Sequence, residues 1–372
     1  MVSECKQIIN FRDAYQMNDQ SIIFSAVEMN GLFVQKPDDN QAELLCKFPE
    51  EDEIQDNLHS QIVAEDETTV YFIPLEGRGI SKYNIVTKKL KNILFKEVEH
   101  CLFIRAFLIG KDIFLIPMNS SSHFCIFHTE NETYEILCEL ENEIWKYISP
   151  AKYWLDPFSV TSDGRILYIA PSEGNQILYI DVWNHKVDKK EIKENIGISS
   201  MVHFEGKLYL YSAGLSAFME YDLRKEALRN LLCGGDKKEE LILVEHKGKI
   251  ISVTESNIIS FDPAAGKKEF EIAIPDNFKI RNSKYKLLAG KREIENQLWI
   301  MSASGSGTLK ILNQDCHSDE SYIDNCFTRK IIEYGKERRK RSLRVVLEAK
   351  EIVIEKDFEA ADLENYIDVL LS

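Results

Sequence analysis

The stretch GRILYIAPSEGNQILYIDVWNHKVD, from Gly164 to Asp188, decides the fold. It holds two short apolar runs joined by a small polar loop, and Asp181 follows the second run just before a polar turn. The first run, ILYIA, is apolar at consecutive positions, which is typical of a β-strand that is covered on both faces. Runs this short and this rich in β-branched and aromatic residues favour strands over buried helices.

The same pair of runs recurs along the chain. The first run is anchored at Ile23, Tyr71, Phe114, Tyr168, Tyr209, Ile251 and Trp299. The second run ends at Val34, Tyr83, Phe127, Ile180, Tyr221, Phe261 and Leu312. The separations within the pairs are 11, 12, 13, 12, 12, 10 and 13 residues, and successive units are 40 to 54 residues apart. A fixed motif at this spacing indicates a repeat architecture.

Turn residues flank both runs. Asn, Asp or His follows the second run in five units, at Asn84, His128, Asp181, Asp222 and Asp262. Asn and Asp side chains accept hydrogen bonds from backbone amides two residues on, so these residues predict a hairpin to a fourth strand. Glycines before the first run, at Gly110, Gly164, Gly206 and Gly248, predict a second hairpin that joins the first two strands.

Seven units of four strands, each burying its faces on its neighbours, predict an all-β fold, a seven-bladed β-propeller. Six or eight blades remain the alternatives, because the ends of the chain are least regular. The ring would close if residues 7–11, 343–347 and 352–354 shared a blade, since open edges invite aggregation. The predicted domains are the propeller, residues 1–356, and a short C-terminal helix, residues 357–372.

Between Ile22 and about Leu312 the chain resembles bacterial kelch-like propellers, in which an aromatic residue and Asp end the third strand of each blade. The double glycine of kelch repeats and the Gly-His and Trp-Asp pairs of WD repeats are missing. The stretch SVTSDGRILY is similar to the start of a sialidase Asp-box but lacks its spacing and tryptophan. The resemblance therefore implies the fold and no active-site residue.

Composition narrows the class of protein. The 372 residues are 44% hydrophobic and 10% aromatic, enough for a folded core, and no segment approaches the roughly 20 apolar residues of a membrane helix. The start has no signal-peptide pattern, so a cytoplasmic protein is expected. Eight scattered cysteines indicate buried free thiols. A net charge of -15 argues against nucleic acid as the main partner.

The loops between second and third strands, with the blade-to-blade connections, lie on one face around the mouth of the channel, where propeller ligands usually bind. Polar residues in these loops are candidates for binding, although they are equally typical of ordinary loops. They are Glu76, Arg78, Asn119, His123, Glu173, Asn175, Tyr211, Ser212, Glu255, Asn257, Ser304 and Ser306.

Charge divides unevenly between the two predicted faces. Three connections, residues 47–60, 96–102 and 138–155, carry ten carboxylates, namely Glu50, Glu51, Asp52, Glu53, Asp56, Glu97, Glu99, Glu139, Glu141 and Glu143. The hairpins of the opposite face carry mostly basic residues, among them Lys88, Lys111, Arg165, Lys207, Arg224 and Lys249. This pattern predicts an acidic ligand face and a basic opposite face, or merely solvated hairpin edges.

The connection at 138–155 also carries Trp145, Tyr147, Tyr153 and Trp154. Aromatic rings beside carboxylates can stack on a sugar or grip a peptide or cation, although such rings also pack loops onto the barrel. Burial of both tryptophans would weaken the binding interpretation.

Three features lie beyond the last unit. Cys316, His317, Asp319 and Cys326 lack the close pairs typical of zinc ligands, so no metal site is predicted. KERRKRSLR, Lys336 to Arg344, has six basic residues and would bind an anionic partner or form an exposed hairpin tip. Residues 357–372 place Leu363, Tyr366, Ile367, Leu370 and Leu371 at helical spacing, which predicts an amphipathic helix that packs on the propeller, or docks a partner or a second copy.

No nucleophile elbow, phosphate loop, HExxH or paired CxxC is present, and no cofactor is predicted. A propeller enzyme assembles its site from separate blades, so this absence does not exclude catalysis. The leading hypothesis is a non-catalytic binding or scaffolding protein that recognises a peptide, glycan or protein. The alternative is a sugar- or peptide-modifying enzyme, such as a lyase, hydrolase or epimerase, with its site on the same face.

Overall fold

The computed structural model describes residues 7–36, 39–96, 101–172, 174–192, 197–212, 215, 217–233, 242–254, 257–275, 278, 290–294, 296–301, 307–323, 330–331 and 333–341. Within these ranges the chain forms a propeller of seven four-stranded blades, as predicted. Every blade is an antiparallel sheet whose strands are paired in sequence order.

One strand, β1 (Gln7–Ile9), precedes the first blade. Blades 1 and 2 consist of β2 (Tyr15–Gln16), β3 (Ile22–Ser25), β4 (Leu32–Gln35), β5 (Gln41–Cys46), β6 (His59–Ala64), β7 (Thr69–Pro74), β8 (Gly79–Asn84) and β9 (Lys89–Leu94). Blades 3 and 4 consist of β10 (Phe103–Ile109), β11 (Asp112–Pro117), β12 (Cys125–His128), β13 (Thr133–Ile136), β14 (Val160–Ser162), β15 (Ile166–Ile169), β16 (Gln176–Asp181) and β17 (Lys186–Glu191).

Blades 5 to 7 continue the pattern. Their strands are β18 (Ile198–Phe204), β19 (Lys207–Ser212), β20 (Ala217–Asp222), β21 (Ala227–Cys233), β22 (Ile242–His246), β23 (Lys249–Val253), β24 (Asn257–Asp262), β25 (Lys267–Ala273), β26 (Gly290–Ile294), β27 (Gln297–Met301), β28 (Thr308–Leu312) and β29 (Asp315–Asp319). A last strand, β30 (Ser321–Ile323), follows blade 7.

The repeat read from the sequence matches the blades one to one. All seven first-run anchors lie in second strands, and all seven second-run ends lie in third strands. The second strands are buried because neighbouring blades cover both of their faces; in β7 all six residues, Thr69–Pro74, are buried. The core is accordingly a ring of clusters between blades. One cluster, for example, packs Tyr71 of blade 2 against Phe103 and Phe127 of blade 3.

The turns behave as their residues predict. Asp181 Oδ1 accepts the backbone N–H groups of Trp183 and Asn184, both at 3.1 Å, and so holds the hairpin between β16 and β17. Asp222 does the same in blade 5, where it accepts the N–H groups of Arg224 and Lys225. At the hairpin that opens blade 5, Gly206 has a φ of 72°, a left-handed conformation that costs glycine little.

Inner-strand side chains tie neighbouring blades together around the axis. The Asp13 carboxylate accepts the N–H of Ile62 in blade 2 at 2.8 Å, and Arg292 of blade 7 donates to the same carboxylate at 2.7 Å. Gln61 of blade 2 both donates to and accepts from the backbone of Ala106 in blade 3. The central axis is therefore lined by polar side chains that are engaged with the next blade.

The ring closes in a way that the sequence did not predict. The chain leaves blade 7 through β30, which pairs in parallel with the outer strand of blade 1, Tyr322 opposite Gln41. β1 then pairs with β30, so blade 1 belongs to a six-stranded sheet. Residues 7–9 do take part in closure, as expected; residues 343–347 and 352–354 lie outside the described residues.

Among the described residues, two α-helices lie outside the blades. The connection from blade 3 to blade 4 contains α1 (Cys138–Trp145) and a 3-10 turn (Pro150–Lys152). A second helix, α2, spans residues 333–341. The hairpin tip considered for KERRKRSLR is therefore wrong, because its first six residues are helical. The predicted C-terminal helix at 357–372 lies outside the described residues. Neither α1 nor α2 has the length and hydropathy that a membrane span requires.

Candidate functional site

The connection between blades 1 and 2, residues 47–58, forms the most acidic part of the face that carries the blade-to-blade connections, here called the mouth face. The loop turns sharply because Glu50 and Asn57 adopt positive φ angles of 66° and 52°. Between them Asp52 Oδ1 accepts the N–H of Ile54 at 3.1 Å, which closes a local turn. The local hydrogen bond and the two positive φ angles fix the backbone of the loop, while its carboxylates project outward.

A buried asparagine clamps this connection to blade 1. Asn30, in the loop between β3 and β4, is only 1% exposed. Its amide donates to the carbonyl oxygens of Phe48 at 3.0 Å and Glu51 at 3.2 Å, and its Oδ1 accepts the Phe48 N–H at 2.8 Å. The connection is thus a rigid platform whose backbone polar groups are satisfied from below.

Three carboxylates of the platform are open to solvent. The side chains of Asp52, Glu53 and Asp56 are 41%, 57% and 35% exposed. Hydrogen bonds hold the pKa of Asp52 below its usual value, chiefly one from the Ile54 amide and then one from Arg341. The Lys47 ammonium and the Tyr334 hydroxyl likewise lower the pKa of Glu53. Both groups are negatively charged at neutral pH.

For two other carboxylates next to the platform, the pKa is raised instead of lowered. Burial raises the pKa of Glu28, although Asn10 donates to its carboxylate from the backbone at 3.1 Å and from the side chain at 2.6 Å. Desolvation and the neighbouring Asp56 raise the pKa of Glu76. Glu28 lies partly buried beside the platform, whereas Glu76 is at its exposed edge and is influenced by the neighbouring carboxylate as well.

Arg12 is the buried cation of this region. It is 8% exposed and donates from Nη2 to Asn57 Oδ1 at 2.5 Å. Burial lowers its pKa to about 10, and the carboxylates of Glu76, Asp56 and Glu28 oppose that shift. Arg12 therefore stays protonated at neutral pH and joins the entry to blade 1 to the acidic platform.

The basic helix α2 lies on the platform. Tyr334 donates its hydroxyl to Glu53 Oε2 at 3.0 Å, and Arg341 Nη1 donates to Asp52 Oδ2 at 3.0 Å. Between them Arg338 Nη1 lies 3.4 Å from Asp56 Oδ2 and also donates to the Glu28 carbonyl oxygen. The chain thus covers its own acidic surface with part of its most basic segment.

Two of the predicted site residues belong to this platform. Glu76 is exposed in the loop between β7 and β8 and accepts a hydrogen bond from Gln55 at 3.3 Å. Arg78 is exposed two residues later, and its backbone N–H donates to Glu51 Oε1 at 2.8 Å.

Four predicted residues gather in a second group, over blades 3 and 4. His123 Nδ1 lies 3.1 Å from the Glu141 carboxylate on α1. A β-bridge joins Asn119 to Trp154, whose side chain is 42% exposed. Trp145 is half-buried with its ring 5.3 Å from that of Tyr153. Neither tryptophan is fully buried, so the burial that would have weakened the binding interpretation is not observed.

The other predicted residues are dispersed. Asn175 is half-buried, and its carbonyl oxygen accepts the Ile192 N–H at 2.6 Å. Tyr211 is 3% exposed within the core between blades 5 and 6 and is not open to a ligand. Asn257 donates to Glu271 at 3.0 Å across its own blade. Ser212 is buried, and Glu173, Glu255, Ser304 and Ser306 lie outside the described residues.

The opposite face is less basic than its sequence suggests, because carboxylates on the neighbouring hairpin of the same blade pair with its cations. Lys249 lies 2.6 Å from Asp262, Arg165 lies 3.0 Å from Asp181, and Lys111 pairs with Glu130. An open groove of about 870 Å³ also lies on this face between blades 1 and 2, above Met17, Val34 and Tyr83. Its lining residues include none of the predicted site residues.

Metal-binding geometry is not found in the described part of the chain, where no group of three or more His, Cys, Asp or Glu side chains converges. His317 Nε2 lies 3.8 Å from Asp319, and Cys316 is a partly buried free thiol; Cys326 lies outside the described residues. Cys101 and Cys125 are buried free thiols, as the sequence indicates, whereas Cys138 is exposed.

Sequence reasoning predicted the acidic connection but missed the residues that organise it. Arg12, Glu28 and Asn30 are single polar residues in short loops, without a motif. The signal that identifies them is their burial, which depends on how blades 1 and 2 meet.

No family model and no curated protein matches the sequence. Solved structures do resemble it. The surface component PorZ of the type-IX secretion system of Porphyromonas gingivalis aligns with a TM-score of 0.56 at 11% identity over 86% of this chain and 39% of its own. The extracellular domain of a proposed one-component system from B. thetaiotaomicron gives 0.55 at 12% over 82% and 38%. This chain thus spans less than half the length of both proteins.

A third structure is similar in size. It is a catalytically inactive variant of virginiamycin B lyase from Staphylococcus aureus with quinupristin, with a TM-score of 0.55 at 10% identity over 82% of this chain and 94% of its own. Identities this low show a shared propeller fold alone. The three proteins differ in what they do, so the likeness favours neither a binding nor a catalytic function.

Proposed function

We propose that this protein is a non-catalytic binding propeller whose mouth face recognises a partner protein or peptide bearing lysine and arginine side chains. One observation carries the proposal: Asp52, Glu53 and Asp56 lie on a rigid platform, and their side chains remain 41%, 57% and 35% exposed beside α2. Preorganised carboxylates of one sign form a surface that a cationic partner complements.

The charge of the whole molecule supports such a partner. A net charge of -15 attracts cations at long range, and at physiological salt the attraction acts over about 8 Å. Single exposed ion pairs contribute only about 0–1 kcal/mol each. A useful affinity therefore requires several charges together with an apolar anchor, and it should fall as salt is added.

The test uses the full chain and a fluorescein-labelled, alanine-based helical peptide that carries four arginines. We expect fluorescence anisotropy to show binding that weakens with salt. The variant Asp52→Asn/Glu53→Gln/Asp56→Asn should weaken binding about tenfold or more, since three charges are lost without a change of shape. The matched control Glu67→Gln/Glu205→Gln/Glu226→Gln removes three exposed carboxylates from hairpins of the opposite face.

The control separates the effect of the platform on binding from the effect of net charge, because both triple variants have the same total charge. Equal affinity of the two variants would refute the platform as the binding surface, as would equally strong binding of a peptide with glutamate in place of arginine.

A second function, an enzyme acting on a sugar or a peptide, is favoured by the second group of residues. His123 and Glu141 form a pair at 3.1 Å, and the exposed Trp154 lies in the same connection as Glu141, bridged through its backbone to Asn119. An imidazole oriented by a carboxylate can act as a general base. The discriminating measurement is turnover of peptide and oligosaccharide libraries by the wild type and by His123→Gln; a product formed only by the wild type would support catalysis.

Two finer assignments accompany the proposal. The aromatic and Asp residues that end the third strands lead us to place the chain near the bacterial kelch-like propellers. We also propose a cytoplasmic protein, because Cys101 and Cys125 are free thiols, the state that a reducing compartment maintains. Fractionation of the source cells tests the second assignment directly.

A further inference from the structure

Helix α2 presents a regular face to the platform. Tyr334, Arg338 and Arg341 are spaced i, i+4 and i+7, the period at which helical side chains share one face. Ile331, helical in the turn just before α2, extends that face by three residues. The helix therefore meets the platform with an aliphatic residue, an aromatic residue and two arginines in order.

The apolar end of this face is embedded. Ile331 is 7% exposed and joins the cluster that fills the interface of blades 7 and 1, beside Phe11 and Met29. Tyr334 packs against the same cluster with its ring, while its hydroxyl reaches Glu53 at 3.0 Å. The apolar end thus anchors the helix next to the acidic platform.

The cationic end is held less firmly. The side chain of Arg338 is 24% exposed in its contact with Asp56, and that of Arg341 is 56% exposed in its contact with Asp52. Partly hydrated ion pairs of this kind are individually weak and sensitive to salt. Lys336 and Arg339, on the outer side of the helix, are exposed.

We propose that α2 is an internal occupant of the binding surface, and that the external partner is a helix with the same order of side chains, an aliphatic and an aromatic residue followed by two arginines at i, i+3, i+7 and i+10. This inference rests on the proposed function. The partner competes with α2 for Asp52, Asp56 and Glu53, so α2 lowers the apparent affinity of the protein for its partner.

Thermodynamics sets the size of the effect. For a partner that binds only the uncovered platform, the apparent Kd equals the intrinsic Kd divided by the fraction of molecules in which α2 is displaced. Because α2 belongs to the same chain, its local concentration is high, and weak contacts suffice to keep it in place. Removing two of these contacts should raise the uncovered fraction severalfold.

The experiment compares two double variants of the full chain. Arg338→Gln/Arg341→Gln removes two cations that touch the platform, and Lys336→Gln/Arg339→Gln removes two cations from the exposed side of the same helix. Both lower the positive charge equally, so long-range attraction is matched. The probe is a fluorescein-labelled peptide of residues 330–341, KIIEYGKERRKR, and a scrambled peptide of the same composition serves as its control.

We expect the Arg338→Gln/Arg341→Gln variant to bind the ordered peptide about fivefold or more tightly than wild type, and the control variant to stay within about twofold. The ordered peptide should also bind better than the scrambled one. Equal affinity in both variants and wild type would overturn the inference while leaving the proposed function intact. Absence of binding in all three proteins would reject the proposed function and the inference together. Circular dichroism melting verifies that each variant is folded.

Discussion

His59 provides a direct test of how blades 1 and 2 pack beneath the acidic platform. It is 5% exposed, its Nδ1 lies 2.8 Å from Ser25 Oγ, and its ring lies 4.3 Å from Phe48 of the platform and 5.5 Å from Phe72. Its Nε2 has no hydrogen-bond partner among the described residues. Burial lowers the pKa of His59 from 6.5 to about 3.

The sign and size of the effect follow from proton linkage. A base with a lowered pKa in the folded state contributes stability that is present above its unfolded pKa of 6.5 and lost as the pH falls toward about 3. At about pH 5 the unfolded chain has protonated this residue and the folded chain has not, which costs about 2 kcal/mol relative to about pH 8.

The assay is urea unfolding of wild type and His59→Gln from about pH 8 to about pH 5. The difference in unfolding free energy between the two proteins removes the contributions of all other titrating groups. We expect wild type to lose about 2 kcal/mol more than the variant over this range. A difference that stays constant with pH would refute the buried, neutral histidine and the packing built around it.

Three other substitutions test separate parts of the structure. Asn30→Ala leaves the buried Phe48 N–H without its acceptor, so we expect a loss of about 1–3 kcal/mol in urea unfolding and faster amide exchange at Phe48; unchanged exchange would contradict the clamp. The pKa of Glu28 is raised in the folded state, so the protonated carboxyl stabilises the fold below the ordinary pKa of 4.5, and this stability is lost as the pH rises. Relative to Glu28→Gln, wild type should therefore lose unfolding free energy above about pH 4.5. Parallel pH profiles of the two proteins would refute this. Tyr168→Ala empties a site in the core between blades 4 and 5 and should cost about 3–5 kcal/mol in thermal or urea unfolding; a small loss would contradict its buried position.

The propeller could be predicted because its strongest signal is local. The second strand of each blade lies between two neighbouring blades and must be apolar at consecutive positions, as in β7 and β15. Each blade can therefore be recognised from about a dozen consecutive residues. The turn residues Asp181 and Asp222 act within four residues of themselves, and their function was equally readable.

The missed elements depend on contacts between distant parts of the chain. β30 has three residues and exists because it pairs with β5, some 280 positions earlier. The helix α2 has too little apolar periodicity to be predicted, and it is held by Asp52, Glu53 and Asp56 of the connection between blades 1 and 2. Ring closure explains the position of α2. Because blade 7 adjoins blade 1, the chain that leaves blade 7 emerges beside the acidic connection.

The candidate site was predicted in part for the same reason. The carboxylates of residues 47–60 were recognised as an acidic connection on the mouth face, and Glu76 and Arg78 do lie next to it. The other candidates were distributed over all blades, because the sequence does not show which of the equivalent loops are exposed. Burial separates them: Tyr211 is enclosed in the core, whereas Trp154 is exposed.

The central claim is that a cationic helix binds the platform on the mouth face. Hydrogen exchange of the full-length Arg338→Gln/Arg341→Gln variant, measured with and without the ordered peptide, tests it most directly. We expect slower amide exchange in residues 47–58 and in the neighbouring loop around Asn30, with no change in the hairpins of the opposite face. Protection confined to the groove between blades 1 and 2, or to the loops around His123 and Trp154, would contradict it.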